Sequence, residues 1–141
     1  MEGVVQVHVA TRTEIEDLRG VVDRNLRDAA IAGLSEDNRL GLAYEAVLVS
    51  SKMVVHASGY RVRPTVAGAH ARTLECAELA LGAGVSGAIA YFNTVRRRRN
   101  TLSYDAAGTV SDVEARDALK QARAYKQMAE GWVAKNHPGL V

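Results

Sequence analysis

The stretch Ser35–Val55, which reads SEDNRLGLAYEAVLVSSKMVV, decides the fold. Ser35 is a favourable helix N-cap, and the acidic Glu36 and Asp37 suit the positive end of a helix dipole. The following apolar and small residues recur at helical spacing and form one inner stripe: Leu40, Ala43, Tyr44, Val47, Leu48, Ser51, Val54 and Val55. The stretch therefore predicts a long amphipathic helix that stops at Gly59.

Four further segments of the chain show the same periodicity. Two of them begin with a capping box, Thr13 with Glu16 and Ser111 with Glu114. Their predicted ranges are 13–33, 66–81, 86–108 and 111–136. Only 5% of the residues are aromatic although 48% are hydrophobic, which suits closely packed helices better than a β-sandwich. We therefore predict an all-α fold, an antiparallel up-and-down bundle of four or five helices that forms a single domain over residues 1–141.

Less regular segments lie at the N-terminus and in one connection. Residues 1–10 include the alternating Val4–Val9, which predicts a short extended strand or a loosely attached arm. The basic segment Tyr60–Thr65 reads as a loop, since Pro64 disfavours helical geometry at Arg63. The sequence has no apolar run of 18 or more residues and no secretion signal, so we expect a cytoplasmic protein without a membrane span. Cys76 is the single cysteine, which excludes an intramolecular disulfide.

The segment Tyr91–Asp105, which reads YFNTVRRRRNTLSYD, contains four consecutive arginines. We expect the functional site to lie in this segment. Successive residues of a helix are rotated by about 100°, so the four guanidinium groups cannot share one face. Measured from Phe92, Arg99 lies about 20° and Arg96 about 40° from the centre of the buried stripe. The pattern predicts that Arg97 and Arg98 need only water, whereas Arg96 and Arg99 need an anion, a carbonyl or a ligand.

Neighbouring polar residues extend this candidate site. Asn100 and Tyr104 are four residues apart and share a helix face, so they are expected to line the same groove. His70 is the histidine nearest the basic connection and is a candidate proton donor or phosphate ligand. The other histidines, His8, His56 and His137, show no metal-like spacing, so we predict neither a metal nor another cofactor. The net charge of +2 is too small to indicate bulk binding of nucleic acid.

Four segments of the chain resemble the HEPN family of small helical domains, which are often paired with minimal nucleotidyltransferases. They are Ala43–Lys52, Ala57–Arg61, Gly68–His70 and Arg96–Tyr104, and the resemblance spans about 35–132. It implies a homodimer in which the motif helices of two subunits surround a basic cleft. Many members are metal-independent ribonucleases that use an Arg followed four to six residues later by His, and others bind nucleic acid or protein without catalysis.

In this resemblance Arg99 takes the place of the motif arginine and Asn100 that of the polar residue after it. Tyr104 stands where the shortest spacing would put the histidine. A phenol with a pKa near 10 is a poorer proton shuttle at neutral pH than an imidazole. We therefore expect a module that binds RNA, a nucleotide or a nucleotidyltransferase partner through Arg96, Arg99, Asn100 and Tyr104 without efficient catalysis.

The alternative is a metal-independent ribonuclease, the toxin of a toxin–antitoxin pair. In that reading Arg99 would stabilise the charge that develops on the phosphorane, and Tyr104 or His70 would transfer the proton. The sequence leaves open whether the protein is an enzyme.

Overall fold

Five α-helices and one small antiparallel sheet make up the described part of the chain. The computed structural model describes residues 3–101 and 110–141, and for residues 99–101 only the backbone. In chain order the elements are β1 (Val5–Val7), α1 (Arg12–Ala29), α2 (Glu36–Ala57), β2 (Tyr60–Val62), α3 (Ala69–Leu81), α4 (Ser86–Thr101) and α5 (Asp112–Asn136), with 3-10 turns at Ala83–Val85 and Pro138–Leu140. The predicted all-α helical bundle is confirmed.

Helix α2 is the central element of the bundle. It packs most extensively against α1 and α5 and also contacts α3, α4 and β2. The whole predicted stripe of α2 is buried, and so are residues beyond it: Gly41, Ala46, Val49, Ser50, Met53 and Ala57. Among the described helices α2 is the one long and apolar enough to cross a membrane, but 72% of its apolar window is buried within the protein. Its apolar character is that of a core helix.

Two predicted caps are confirmed and one is wrong. The Ser35 hydroxyl accepts a hydrogen bond from the Asn38 amide, and the Ser111 hydroxyl accepts one from the Glu114 amide. The first helix, by contrast, is capped by Thr11, whose hydroxyl accepts from the Glu14 amide at 3.2 Å. Thr13 lies inside this helix because Thr11 already has the extended backbone that an N-cap requires.

The extended N-terminal segment forms a strand. Val5 pairs with Val62 and Val7 with Tyr60 in an antiparallel ladder. The prediction that Tyr60–Thr65 is entirely a loop is therefore wrong for Tyr60–Val62. The partner strand lies more than 50 residues away along the chain, and such a non-local pairing leaves no hairpin signal in the sequence.

The start of α3 also differs from the prediction. Gly68 adopts the left-handed conformation, with φ of 68°, and the Val66 amide bonds to the Arg63 carbonyl, so turns rather than a helix occupy the chain up to Gly68. His70, predicted to lie on the same side as Leu74 and Ala77, is exposed, whereas those two residues are buried. The first turn of α3 is therefore open to solvent.

Candidate functional site

A cavity of about 510 Å³ brings together the basic helix and the predicted basic connection. Its walls come from α2, the connection between β2 and α3, the first turn of α3, and α4. The lining residues are Tyr44, Glu45, Pro64, Val66, Gly68, Ala69, His70, Ala71 and Arg96. Two of the predicted site residues, Arg96 and His70, therefore lie at one cavity.

Arg96 occupies the position that its place on the helix predicts. It is half-buried, next to the buried Val95 and one turn after the buried Phe92. Its Nε donates to Asn93 Oδ1 at 3.4 Å, a long contact that holds the start of the guanidinium against its own helix. This contact uses Nε alone among the five N–H donors of an arginine. The guanidinium thus reaches the cavity as a fixed positive charge.

The first turn of α3 forms another wall of the cavity. The first N–H groups of a helix have no intrahelical acceptor, and the N-cap Gly68 supplies no side-chain acceptor for them. Ala69, His70 and Ala71, the first three residues of the helix, all line the cavity. A helix N-terminus carries a partial positive charge, so this wall favours an anion.

The wall formed by α2 is of mixed character. Tyr44 lines the cavity and is only 2% exposed, while the half-buried Glu45 brings a carboxylate. A carboxylate opposes the binding of a phosphate by like-charge repulsion. The cavity is therefore polar and partly positive rather than uniformly basic.

The other two arginines of the run whose side chains are described, Arg97 and Arg98, have different surroundings. Arg97 is exposed, as predicted. Arg98 is half-buried and forms an ion pair with Glu114 in the first turn of α5, so the prediction that it needs only water is wrong. A helical wheel of α4 alone cannot show this contact, because the carboxylate belongs to another helix. Arg98 thus ties α4 to α5.

Tyr91 lies beside this ion pair. Burial raises the pKa of the Tyr91 phenol, the charges of Glu114 and Asp117 raise it further, and Arg98 lowers it. Its hydroxyl is buried and has no hydrogen-bond partner within the described parts of the chain. The phenol is therefore held neutral at physiological pH.

The other predicted site residues cannot be placed at the cavity. Arg99 and Asn100 belong to α4, but their side chains lie outside the described residues. Tyr104 falls within 102–109, which is also outside them. The described part of the candidate site consists of Arg96, His70 and the first turn of α3.

A second polar cluster, at the other end of α2, was missed by the sequence analysis. Glu14, in the first turn of α1, accepts hydrogen bonds from two histidines that are 48 positions apart. His8 Nε2 lies 2.7 Å from Glu14 Oε1 and 2.9 Å from Oε2, and His56 Nδ1 lies 3.1 Å from Oε1. The spacing of His8 and His56 gave no signal of this contact. The His8-x5-Glu14 pattern was the one local hint.

The cluster holds Glu14 as a carboxylate. Burial by itself raises the pKa of Glu14, but the hydrogen bonds and charges of His8 and His56 outweigh it and hold the pKa below the usual value. Burial lowers the pKa of His56, and the charges of His8 and Arg61 lower it further against the opposing effect of Glu14. An ionised carboxylate with at least one neutral imidazole is therefore the state favoured near neutral pH.

Comparison with known proteins identifies no relative of the chain. No family model, no curated protein and no solved structure matches the chain.

Proposed function

We propose that the protein is a HEPN-like module that binds the phosphate group of RNA or of a nucleotide in the cavity beside Arg96. The observation that carries the proposal is that Arg96 and the uncapped first turn of α3 line one cavity. An arginine fork matches two phosphate oxygens, and helix N-terminal amides bind phosphate without a specific side chain. The resemblance of the chain to HEPN domains supports the same reading.

The dimensions of the cavity favour a small or single-stranded ligand. About 510 Å³ is within the range of pockets that hold one small molecule, such as a nucleotide or one unit of an RNA strand. The small net charge of +2 does not support sequence-independent binding along a duplex. Glu45 limits the affinity for phosphate and favours ligands that also offer a hydrogen-bond donor, such as a ribose hydroxyl or a base amino group.

The test compares two neighbouring arginines of α4. Binding of fluorescently labelled single-stranded RNA and of a labelled nucleotide is measured by anisotropy for the wild type, Arg96→Ala and Arg97→Ala. Arg96→Ala is expected to weaken binding about tenfold or more, because a charge-assisted contact to phosphate is lost. Arg97, exposed and outside the cavity, is the matched control and is expected to change affinity less than threefold. Equal losses in both variants would indicate diffuse electrostatic attraction and contradict a site at the cavity.

A second candidate function, cleavage of RNA without a metal, is favoured by His70. This imidazole is exposed and lines the same cavity as Arg96, and histidine is the side chain most often used for general acid–base catalysis. It is therefore accessible to transfer a proton to or from a phosphate-bound ribose. RNA incubated with the protein in excess chelator tests this function. Cleavage by the wild type that disappears in His70→Gln supports it, and intact RNA with the wild type rejects it.

The resemblance also supports a homodimer and a nucleotidyltransferase partner, and the cytoplasmic location expected from the sequence stays a prediction. In a dimer the α4 helices of two copies would join their basic ends into one cleft. Native mass spectrometry of the full chain tests this arrangement, and a strictly monomeric mass at micromolar concentration would contradict it.

A further inference from the structure

Three elements meet at the cluster of His8, Glu14 and His56. His8 follows β1, Glu14 lies in the first turn of α1, and His56 lies in the last turn of α2. One potential ligand atom from each residue lies within 4.8 Å of the others, and the two imidazole rings are 4.7 Å apart between centroids. His56, which is distant in sequence, thus joins His8 and Glu14, and the three residues present two nitrogens and a carboxylate to one point.

The backbone around the cluster holds these side chains in place. The His8 amide donates to the Gly59 carbonyl at 2.9 Å, which continues the ladder of β1 and β2. Glu14 is fixed by the Thr11 cap of α1. The side chains are 23%, 28% and 18% exposed for His8, Glu14 and His56, so the cluster is sheltered but open to water on one side. A pre-positioned set of ligands loses little conformational entropy when it binds an ion.

We propose that His8 Nε2, His56 Nδ1 and a carboxylate oxygen of Glu14 bind a Zn²⁺ ion, with water in the fourth position. Two imidazoles and one carboxylate are ligands that zinc takes in tetrahedral sites with an open position. Mg²⁺ and Ca²⁺ prefer all-oxygen ligands and are disfavoured by the two nitrogens. The site is separate from the cavity beside Arg96 and does not depend on the function proposed for that cavity.

The two ligand distances that involve Glu14 require only a small adjustment. Ligands about 2.1 Å from zinc at tetrahedral angles lie about 3.4 Å apart. The contacts of Glu14 to His8 and His56, at 2.7 and 3.1 Å, are slightly shorter because they are hydrogen bonds. In the zinc-bound form each neutral imidazole carries its proton on the other ring nitrogen, and the ion replaces both hydrogen bonds. The ion then links the end of β1, α1 and α2.

Among the described residues, Arg61 carries a positive charge that opposes the ion. Its positive charge acts on His56, and it lies opposite Gln6 in the pairing of β2 with β1. Arg61→Gln is therefore expected to tighten zinc binding severalfold, by removing a like charge. This change leaves all three proposed ligands in place.

The experiment titrates chelator-treated protein with Co²⁺, whose visible absorption reports a tetrahedral site, and with Zn²⁺ by calorimetry and native mass spectrometry. One ion per chain is expected, together with a higher melting temperature in zinc. Glu14→Gln and His56→Gln are each expected to weaken binding at least tenfold. His137→Gln, which removes a histidine outside the cluster, is the matched control and is expected to bind as the wild type.

Two results would overturn the proposal. One is a wild-type protein that binds neither Co²⁺ nor Zn²⁺. The cluster would then be a set of hydrogen bonds that connects β1, α1 and α2. The other is unchanged stoichiometry and affinity in Glu14→Gln, whose amide keeps the size of the side chain. Circular dichroism of each variant shows whether it is folded, and the wild-type titration decides the proposal even where a variant fails to fold.

Discussion

The hydroxyl oxygens of Ser51 and Tyr125 lie 2.7 Å apart in the core, where they join α2 to α5. Ser51 donates its single proton to the Val47 carbonyl at 2.8 Å, so Tyr125 is the donor in the contact between the two side chains. Both residues are almost fully buried, at 0% and 1% exposure. The Tyr125 hydroxyl therefore finds its acceptor in α2, whereas the Ser51 hydroxyl also has an acceptor within its own helix.

Ser51→Ala is expected to destabilise the protein more than Tyr125→Phe. The serine change leaves the buried Tyr125 hydroxyl without an acceptor, which costs roughly 1–3 kcal/mol, whereas the tyrosine change leaves Ser51 still bonded to Val47 and costs about 1 kcal/mol. Urea unfolding of both variants and of the double variant measures the coupling. Strict additivity would show that the contact contributes nothing.

Ser50 offers the matched control for this pair. Its Oγ is also buried, in the same helix, but it has no hydrogen-bond partner among the residues that the structure describes. Ser50→Ala removes an unsatisfied polar atom and is expected to be neutral or stabilising. A loss equal to that of Ser51→Ala would contradict the assignment of the hydrogen bond.

The buried phenol also predicts a loss of stability at alkaline pH. Burial raises the pKa of Tyr125 to about 12, although the hydrogen bond with Ser51 lowers it, against 10.0 for an ordinary tyrosine. The unfolded chain therefore loses this proton first, and stability is fully present below pH 10 and falls between pH 10 and 12. The contribution is roughly 2–3 kcal/mol. Urea unfolding from pH 8 to 11 is expected to show a shallower decline for Tyr125→Phe than for the wild type.

The position of the first helix cap is testable with two threonines. Thr11→Ala is expected to cost about 1 kcal/mol, because it removes the acceptor of the Glu14 amide. Thr13→Ala, at an equally exposed site inside α1, is expected to be neutral or slightly stabilising, since alanine has the higher helix propensity. Thermal unfolding of both variants measures the difference. A larger loss of stability in Thr13→Ala than in Thr11→Ala would instead support a capping box that begins at Thr13.

Arg39 is expected to be the arginine most important for stability among those with described side chains. Its Nε donates to the Ala29 carbonyl at 2.8 Å and a terminal nitrogen donates to the Ile31 carbonyl at 3.0 Å, so α2 caps the end of α1. Arg39→Met keeps the apolar stem but is expected to lose about 2–3 kcal/mol. Arg24→Met, at an exposed position of α1, is the control and is expected to change the free energy of unfolding by less than about 0.5 kcal/mol. Chemical denaturation of both variants tests this difference.

The helices could be predicted because their signals are local. Ser35 and Ser111 stand one residue before helices with the right periodicity, and a cap acts within three residues. The cap of α1 was misplaced by two residues because Thr11 and Thr13 both offer a hydroxyl near the start of the same apolar pattern. Only the backbone conformation distinguishes them.

The sites depended on the tertiary structure. Periodicity placed Arg96 toward the bundle, but it could not show that the first turn of α3 lines the same cavity, nor that Glu114 of α5 pairs with Arg98. A helical wheel describes the faces of a single helix, whereas each of these contacts joins two different elements of the chain.

By itself, the sequence determined the helical class, the core stripe of α2 and the position of the basic residues on α4, because period, caps and charge are encoded in neighbouring residues. Only the tertiary structure decided that β1 pairs with β2 and that His8 and His56 meet on Glu14. Contacts between residues so far apart along the chain form only when the core has packed. The spacing of these residues in the sequence therefore does not predict them.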